Sequence, residues 1–562
     1  MAAGLTRGRT LCVGASVALL LLVGAAAPHA AMPDLAPRGW APGQLVPVTL
    51  GPAAVTALLW TAYVLGAVAV LLGLRARPAA LASWRWPGAL AVLALLTAPI
   101  GSADHVNYLA YGRILVGGGN PWVASPLSWA GGTDPVTSRV EEPWTTEPSV
   151  YGPFGTLLHG LSALLGGDSL HQGVWVWQVL VVLSWLAVRW LLRRVLPTGQ
   201  HGRVDVLWTL NPLVFGVGVL GAHIDVVAAA LVVGTVAALS WRPGWRGALL
   251  AGVVAGLAAS TKVTYAVVLV AVVGAWWVVG RRGSEHARLA GALGAGFVVV
   301  AGALHAWAGP HVFDQLLRSR QAVSLAMPWR PLLDWGRDAV GNGPTRTAIS
   351  LAAGVLALVL AACLLRLTRP ALATFSPGAG TFTSAPEPIP CEGERSGVED
   401  AVGSPDAVGS PKDTGAPDAV GSPSDVGPVA LWLTACLGLA YSLAAPYSLP
   451  WYDLLVWCAL PALVPGLVDG VALVRLFALA VAYVPGRVLG MTPAVEHLTL
   501  GVRRGVVPWV GLALWVVVIV AGVRRGSWPP TGPPPGAGTP PPTPAAERPG
   551  WRPRPGSPRP SR

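Results

Sequence analysis

Apolar stretches long enough to cross a bilayer recur along nearly the whole chain, separated by short polar or basic segments. A membrane helix needs about 20 apolar residues, and it satisfies its own backbone hydrogen bonds. Weighing these stretches against the distribution of Lys and Arg predicts an all-α polytopic membrane protein with about fourteen transmembrane helices. The predicted spans lie near residues 11–30, 50–74, 86–101, 172–192, 204–221, 224–241, 247–262, 263–280, 289–308, 347–366, 428–445, 453–468, 471–487 and 506–523.

The segment FGTLLHGLSALLGG, residues 154–167, is apolar but too short to span a bilayer comfortably. Counting it as a span would also place Arg193 and Arg194 on the outer side, apart from the other basic groups. We therefore predict a surface or re-entrant helix on the outer face. With this choice, both termini and most basic clusters between spans fall on the cytoplasmic side.

Composition divides the chain into four parts. Residues 1–366 and 428–523 contain the predicted spans and form the N-terminal and C-terminal parts of one membrane domain. Residues 367–427 are rich in Gly, Pro, Ser and Asp and repeat DAVGSP, which is typical of a disordered linker, here cytoplasmic. Residues 524–562 form a Pro-rich basic tail, also expected to be disordered. The first segment, residues 11–31, fits a cleaved signal peptide and a retained anchor equally well.

Overall composition excludes a soluble globular protein. The chain is 53% hydrophobic and 11% charged, against about 25% charged residues in soluble domains. Its formal net charge of +12 does not indicate a nucleic-acid partner, because the basic residues sit in short clusters between spans and in the tail. Such clusters suit cytoplasmic loops beside anionic membrane lipids. The five cysteines are scattered and form neither a disulfide framework nor a metal motif.

The polar residues that packing explains least all fall at the outer ends of predicted spans. Ionisable groups at membrane depth are costly and by default mark function. Side chains at span ends are partly in water, so each one alone could be structural. Their convergence on one face from distant segments favours a shared site, formed by Asp104, His105, Tyr108, Tyr151, His223, Asp225, Lys262, Trp451 and Tyr452.

Asp104 is the best candidate for a general base, because a carboxylate beside a water-accessible groove can accept a proton from an attacking hydroxyl. A helix-capping Asp is the alternative. Arg113 and Lys262 could neutralise a phosphate, although Lys262 could also snorkel to the interface. His223 and Asp225 are too few ligands for a metal site, so no metal is predicted.

This topology places the loop at residues 309–345 outside. Several arginines nevertheless lie in that loop or directly after it. Either the topology is wrong there, or outer arginines are kept to bind an anion such as a lipid phosphate, and we favour the second. They are Arg318, Arg320, Arg330, Arg337 and Arg346.

Five motifs together resemble the actinobacterial polyprenol-phosphate-mannose-dependent α-(1→6)-mannosyltransferases, a family of the GT-C superfamily of integral membrane glycosyltransferases. The resemblance covers roughly residues 50–520 and rests on the order of the motifs more than on any one of them. The motifs are DHVNY followed after six residues by LVGGGNPW (104–122), SVYGP (149–153), LNPLVFGVGVLGAHID (210–225), STKVTY (260–265) and YSLPWY (447–452).

The resemblance implies a GT-C-like fold in the plasma membrane, with the active site on the extracytoplasmic face. The donor would be mannose on polyprenyl phosphate, and the acceptor a lipid-linked mannan or related cell-envelope glycan. Asp104 matches the acidic base that members carry in their first large outer loop. The other residues of the cluster, with Arg113, would bind substrate, and no cofactor or metal would be needed. Ile224 and His105 depart from the family pattern, which leaves acceptor and linkage open.

The competing interpretation is a transporter or flippase of a lipid-linked saccharide. Transporters tend to place polar sites near the bilayer midplane and to contain internal repeats. Here the predicted span interiors hold few ionisable residues and no repeat relates the two halves, so we favour the enzyme.

Overall fold

The computed structural model describes residues 2–314, 317, 322–368, 426–487 and 489–526. Most of the predicted linker, the tail after residue 526, and Arg318 and Arg320 lie outside the described residues. Within these ranges the chain forms helices joined by turns and contains no β-strand. Numbered in chain order, the main helices are α1 (Ala2–Ala25), α2 (Pro52–Ala76), α3 (Arg85–Leu95), α4 (Asp104–Val116), α5 (Pro153–Gly166), α6 (Leu170–Val195), α7 (Thr198–Leu220, interrupted), α8 (Ile224–Trp241), α9 (Trp245–Thr261), α10 (Val267–Val278), α11 (Gly283–Ala308), α12 (Trp329–Val340), α13 (Asn342–Leu367), α14 (Val426–Ala444), α15 (Leu467–Tyr483), α16 (Pro493–Gly501) and α17 (Val507–Gly526).

The long helices confirm a polytopic membrane protein. In the described part of the chain, nine helical segments are long and apolar enough to cross a bilayer. They are α1, α2, α6, α7, α8, α11, α13, α14 and the continuous run of α16 and α17. Shorter apolar helices at α3, α9 and α10 add to the bundle.

The predicted span at 453–468 has a different structure. Instead of one long helix, the chain makes short helical turns at Pro450–Asp453, Leu454–Trp457 and Leu460–Ala462. Pro461 lacks the N–H that a continuous helix needs at that position. Because these turns are buried within the bundle, the irregular backbone is shielded from lipid, which makes it tolerable at membrane depth.

The helix expected near 154–167 is present as α5. It begins at Pro153, which suits the first turn of a helix, and ends before Gly167, whose φ is +59°. One face packs against α4 so closely that a Cβ added to Gly112 would lie 2.2 Å from the carbonyl oxygen of His159. Leu161 and Leu164 are exposed on the opposite face, where they suit contact with lipid.

Arginine-rich helix ends meet at one end of the bundle. Arg189 Nε lies 3.0 Å from Asp205 Oδ1, and Arg193 Nη1 lies 3.6 Å from the other carboxylate oxygen of Asp205. Arg203 pairs with Asp469 at 2.7 Å, which joins the N-terminal part of the domain to α15. The positive charges predicted to face the cytoplasm are thus partly balanced by buried carboxylates.

Replacing Gly112 by Ala should force α4 and α5 apart, since the new Cβ has no room beside the His159 carbonyl. We expect a loss of about 1–3 kcal/mol in the free energy of unfolding, seen as a lower midpoint of thermal unfolding in detergent. Gly88→Ala is the matched control, because a Cβ there meets nothing within 4 Å and Ala favours a helix. Equal midpoints for the two variants would contradict the close packing.

Candidate active site

A cavity of about 720 Å³ opens at the end of the bundle opposite the arginine clusters. The course of α14 shows this arrangement. Gly427, in its first turn, lies beside Val195 at the arginine-rich end, and its last residue, Ala444, lines the cavity. Part of the wall is polar, and another part consists of small or apolar side chains. A cavity of this size can hold a substrate with both a polar and an apolar portion.

One face of α4 supplies three polar side chains to the cavity. Asp104, Asn107 and Tyr111 all line it, and their spacing of three and four residues places them on one side of a helix. The Asp104 N–H donates to Ser102 Oγ at 3.3 Å. Because the Asp104 side chain does not cap the helix, its carboxylate remains directed to the cavity.

His223 lies directly behind Asp104. Its Nδ1 is 3.6 Å from Asp104 Oδ2, and its Nε2 is 3.3 Å from Ser102 Oγ. The imidazole also stacks on the Trp451 ring, with 3.7 Å between ring centroids. His223 does not line the cavity, so the structure brings it into contact with the carboxylate instead of with the cavity space.

An ion pair joins the start of α8 to the residue that follows α9. Lys262 Nζ lies 2.7 Å from Asp225 Oδ1, and the Tyr265 hydroxyl donates to the same oxygen at 2.9 Å. The Lys262 ammonium also lies 3.2 Å from the centroid of the Tyr452 ring, a cation–π contact. Both charged residues line the cavity, so one cation and one anion are fixed beside Asp104.

The electrostatic surroundings of Asp104 favour its protonated form. Asp104 begins α4, which is not among the helices long and apolar enough to cross a bilayer. Burial raises the pKa of the Asp104 carboxyl to about 7, while the Lys262 charge opposes the rise and the Asp225 charge adds to it. A carboxylate whose pKa lies near neutrality is well matched to accept a proton in a reaction at neutral pH.

The C-terminal part of the domain places Trp451 and Tyr452. Asp453, next in sequence, accepts a 3.0 Å hydrogen bond from Arg475 Nε of α15. Arg475 Nη2 also donates to Ser448 Oγ at 2.7 Å. This buried pair fixes the turn between residues 448 and 453, and thereby the two aromatic rings that cover His223 and Lys262.

Of the side chains predicted for the site, six line the cavity and four do not. The six are Asp104, Tyr151, Asp225, Lys262, Trp451 and Tyr452. His105 and Tyr108 are buried in the protein away from the cavity wall, as His223 is.

Arg113 does not reach the cavity either. Its Nε lies 2.9 Å from Asp134 Oδ2, and its guanidinium also contacts Asp168, so the structure does not support the phosphate contact predicted for it. On α12, Arg330 pairs with Asp334 at 2.9 Å, and Arg337 contacts Asp334 as well. These two arginines, predicted to lie on the outer side, therefore already have a carboxylate partner.

Sequence reasoning missed several cavity residues. Tyr111 follows Asp104 at helical spacing, so the periodicity of α4 would have identified it. Trp144 and Glu147 lie in an irregular segment, which leaves no periodic signal. In the part of the chain that the structure describes, no group of three or more His, Cys, Asp or Glu side chains could hold a metal ion.

Residues 11–279 match the family described as alpha-(1->6)-mannopyranosyltransferase, N-terminal domain. The match covers a little under half of the chain, and it shows that the N-terminal part is similar to this family. The match confirms the resemblance drawn from the motifs. Four of the six cavity residues predicted from sequence, Asp104, Tyr151, Asp225 and Lys262, lie inside the matched region, whereas Trp451 and Tyr452 lie beyond it.

Three proteins named as alpha-(1->6)-mannopyranosyltransferases are similar to parts of this chain. Alpha-(1->6)-mannopyranosyltransferase B of Corynebacterium glutamicum is 28% identical over 192 residues, or 32% of this chain and 31% of the relative. A probable alpha-(1->6)-mannopyranosyltransferase of Mycolicibacterium smegmatis is 30% identical over 23% of each chain. Alpha-(1->6)-mannopyranosyltransferase A of Mycobacterium tuberculosis is 27% identical over 25% of this chain and 28% of the relative. The matched stretches thus span less than a third of each relative, and no solved structure matches significantly.

Breaking the buried Arg475–Asp453 pair should destabilise the protein strongly. Arg475→Met leaves Asp453 buried without its cation, at a cost of about 3–5 kcal/mol in the free energy of unfolding. Removing both charges with Asp453→Leu and Arg475→Met should cost less than the sum of the two single variants. Thermal unfolding in detergent measures these effects.

The exposed pair Arg337 and Asp338, 3.2 Å apart, is the control, because exposed pairs contribute only about 0–1 kcal/mol. Additive single and double variants at Arg475 and Asp453 would contradict a coupled pair.

Proposed function

We propose that the protein is a membrane mannosyltransferase that moves a mannosyl residue from polyprenyl-phosphate-mannose to a lipid-linked mannan or related envelope glycan. The observation that carries the proposal is the shared cavity: Asp104 and Lys262 face the same space, in a chain whose N-terminal part is similar to a mannosyltransferase family. A base and a fixed cation side by side are what a glycosyl transfer from a lipid phosphate requires.

The apolar part of the cavity suits the lipid of such a donor. Ala353, Gly354 and Ala357 of α13 line it, together with Val312 and Phe313. A Cβ added to Gly354 would meet nothing within 4 Å, so this side of α13 leaves room for a chain to lie along it. A polyprenyl chain there would keep its phosphate at the polar end of the cavity.

The reaction is a single displacement at the anomeric carbon of mannose. The acceptor hydroxyl oxygen attacks that carbon and forms the new glycosidic bond, while the bond to the phosphate oxygen breaks. Asp104 takes the hydroxyl proton. The phosphate leaves on its lipid with one additional negative charge, which Lys262 stabilises from its place beside Asp225.

Neighbouring groups support these two roles. His223 Nδ1, 3.6 Å from Asp104 Oδ2, limits the directions that the carboxylate can take. Asp225 holds Lys262 and so fixes the cation where the phosphate would depart. Trp451 and Tyr452 close this part of the wall. We assign Tyr151 to binding of substrate, because it lines the cavity.

The arginine-rich end of the bundle is assigned to the cytoplasm by the positive-inside rule. The cavity, at the other end, would then open on the extracytoplasmic face of the plasma membrane. The protein's partners would be the polyprenyl-phosphate sugar, the glycan acceptor and the surrounding membrane lipids.

Asp104→Asn tests the proposal most simply. We expect purified protein in liposomes to transfer labelled mannose from polyprenyl-phosphate-mannose to a short α-mannoside, and the variant to lose about 100-fold or more in rate. The control is Asp338→Asn, which removes an exposed carboxylate that does not line the cavity. Equal rates in Asp104→Asn and wild type would remove Asp104 from its role. No transfer from several polyprenyl-phosphate sugars, with saccharide movement across the liposome, would favour a transporter.

The pH dependence of transfer follows from the raised pKa of Asp104. A general base must be ionised, and this carboxyl is protonated below about pH 7. The ratio kcat/KM should therefore fall tenfold per pH unit as the pH drops below that value, and level off above it. Rates measured from about pH 5 to about pH 9 check this, and a profile that stays flat down to the acid limit would contradict it.

A further inference from the structure

The polar wall of the cavity extends well beyond the reacting groups. Along α4, Tyr111 lies seven residues past Asp104, which at 1.5 Å per residue is about 10 Å along the helix axis. Between them, Asn107 lines the cavity, is 4% exposed, and has a buried side-chain oxygen without a hydrogen-bond partner. Burying such an oxygen unpaired is costly, which indicates that a ligand hydroxyl completes it.

A second segment, beside α4, contributes to the same wall. Residues 144–152 contribute Trp144, Glu147 and Tyr151 to the cavity. The Tyr111 hydroxyl donates to the Glu147 carbonyl oxygen at 3.0 Å, which ties this segment to α4. The Trp122 indole N–H donates to the Tyr151 carbonyl oxygen at 2.8 Å, which holds the segment's other end.

These side chains suit a neutral sugar better than the donor. A carboxylate and an amide can take hydrogen bonds from ring hydroxyls, and an indole offers an apolar platform with a polar edge. The Glu147 carboxylate would repel a phosphate, so the donor phosphate belongs near Lys262. The steps assigned to Asp104 and Lys262 do not use any of these residues.

We propose that Asn107, Trp144 and Glu147 bind the second sugar of the acceptor, so that the protein selects acceptors of two or more hexoses. This inference rests on the proposed function, because it takes the sugar attacking at Asp104 to be the acceptor's terminal residue. The next residue of the glycan then lies along α4, between Asn107 and Glu147.

The test compares acceptors of different length. In the wild type, kcat/KM for an α-linked mannotrioside should exceed that for a methyl α-mannoside. In Glu147→Gln this preference should fall by about tenfold, the expected loss for a hydrogen bond to a charged group. In Trp144→Leu it should also fall, because the variant removes the aromatic surface on which the sugar ring would pack. Glu142→Gln is the matched control, because Glu142 is exposed in the same part of the chain and does not line the cavity. An unchanged length preference in both cavity variants would overturn the proposal.

Direct binding separates this inference from the proposed function. The affinities of mannotrioside and methyl α-mannoside are measured by titration calorimetry without any donor. Tighter binding of the trioside, lost in Glu147→Gln and Trp144→Leu but kept in Glu142→Gln, would support the sugar site even if no transfer from polyprenyl-phosphate-mannose occurs. Equal affinities for both sugars in the wild type would overturn the sugar site even if transfer occurs.

Discussion

The site depends on one constraint: charges placed within an apolar helical bundle must be paired. Asp225 is fully buried, and an unpaired carboxylate there would be very costly. Lys262 and Tyr265 both bind its Oδ1. Because Asp225 lies in the first turn of α8 and Lys262 directly follows α9, the pair also fixes the ends of these two helices beside the cavity. The cation that the proposed reaction needs is thus part of the fold.

Asp104 is different, because it lines the cavity without a cation in hydrogen-bond contact. His223 Nδ1 lies 3.6 Å from its carboxylate, and burial raises the pKa of the carboxyl to about 7. Asp225 is bound by a cation, whereas Asp104 is left able to exchange a proton. Two carboxylates in one cavity thus have different surroundings: one is held in an ion pair, and the other faces the cavity without a cation in contact.

The C-terminal part of the domain completes a site that begins in the N-terminal half. The family match ends at residue 279, yet Trp451 and Tyr452 cover His223 and Lys262. Arg475 and Asp453 form the buried pair that holds those rings in place. The two parts of the domain therefore have to fold together before the cavity has its walls.

Sequence reasoning predicted the class of fold and the segments that converge, because spans of about 20 apolar residues and polar residues at their ends are local signals. It could not predict the partners of Arg113, since Asp134 and Asp168 reach it through the folding of loops. Residues 453–468 predict a span because they are as apolar as a helix that crosses the membrane, whereas the structure has short turns over much of this segment. Glu147 was not predicted as a cavity residue, because an irregular segment has no periodicity that would show which side chains share a face.

The most direct measurement is a structure of the protein with a polyprenyl phosphonate analogue of the mannosyl donor, which cannot transfer its sugar. The account predicts the phosphonate within ion-pair distance of Lys262 Nζ, the lipid along α13, and the anomeric carbon on the side facing Asp104. A phosphonate bound at the arginine-rich end of the bundle, or a mannose that lies away from Asp104, would contradict it.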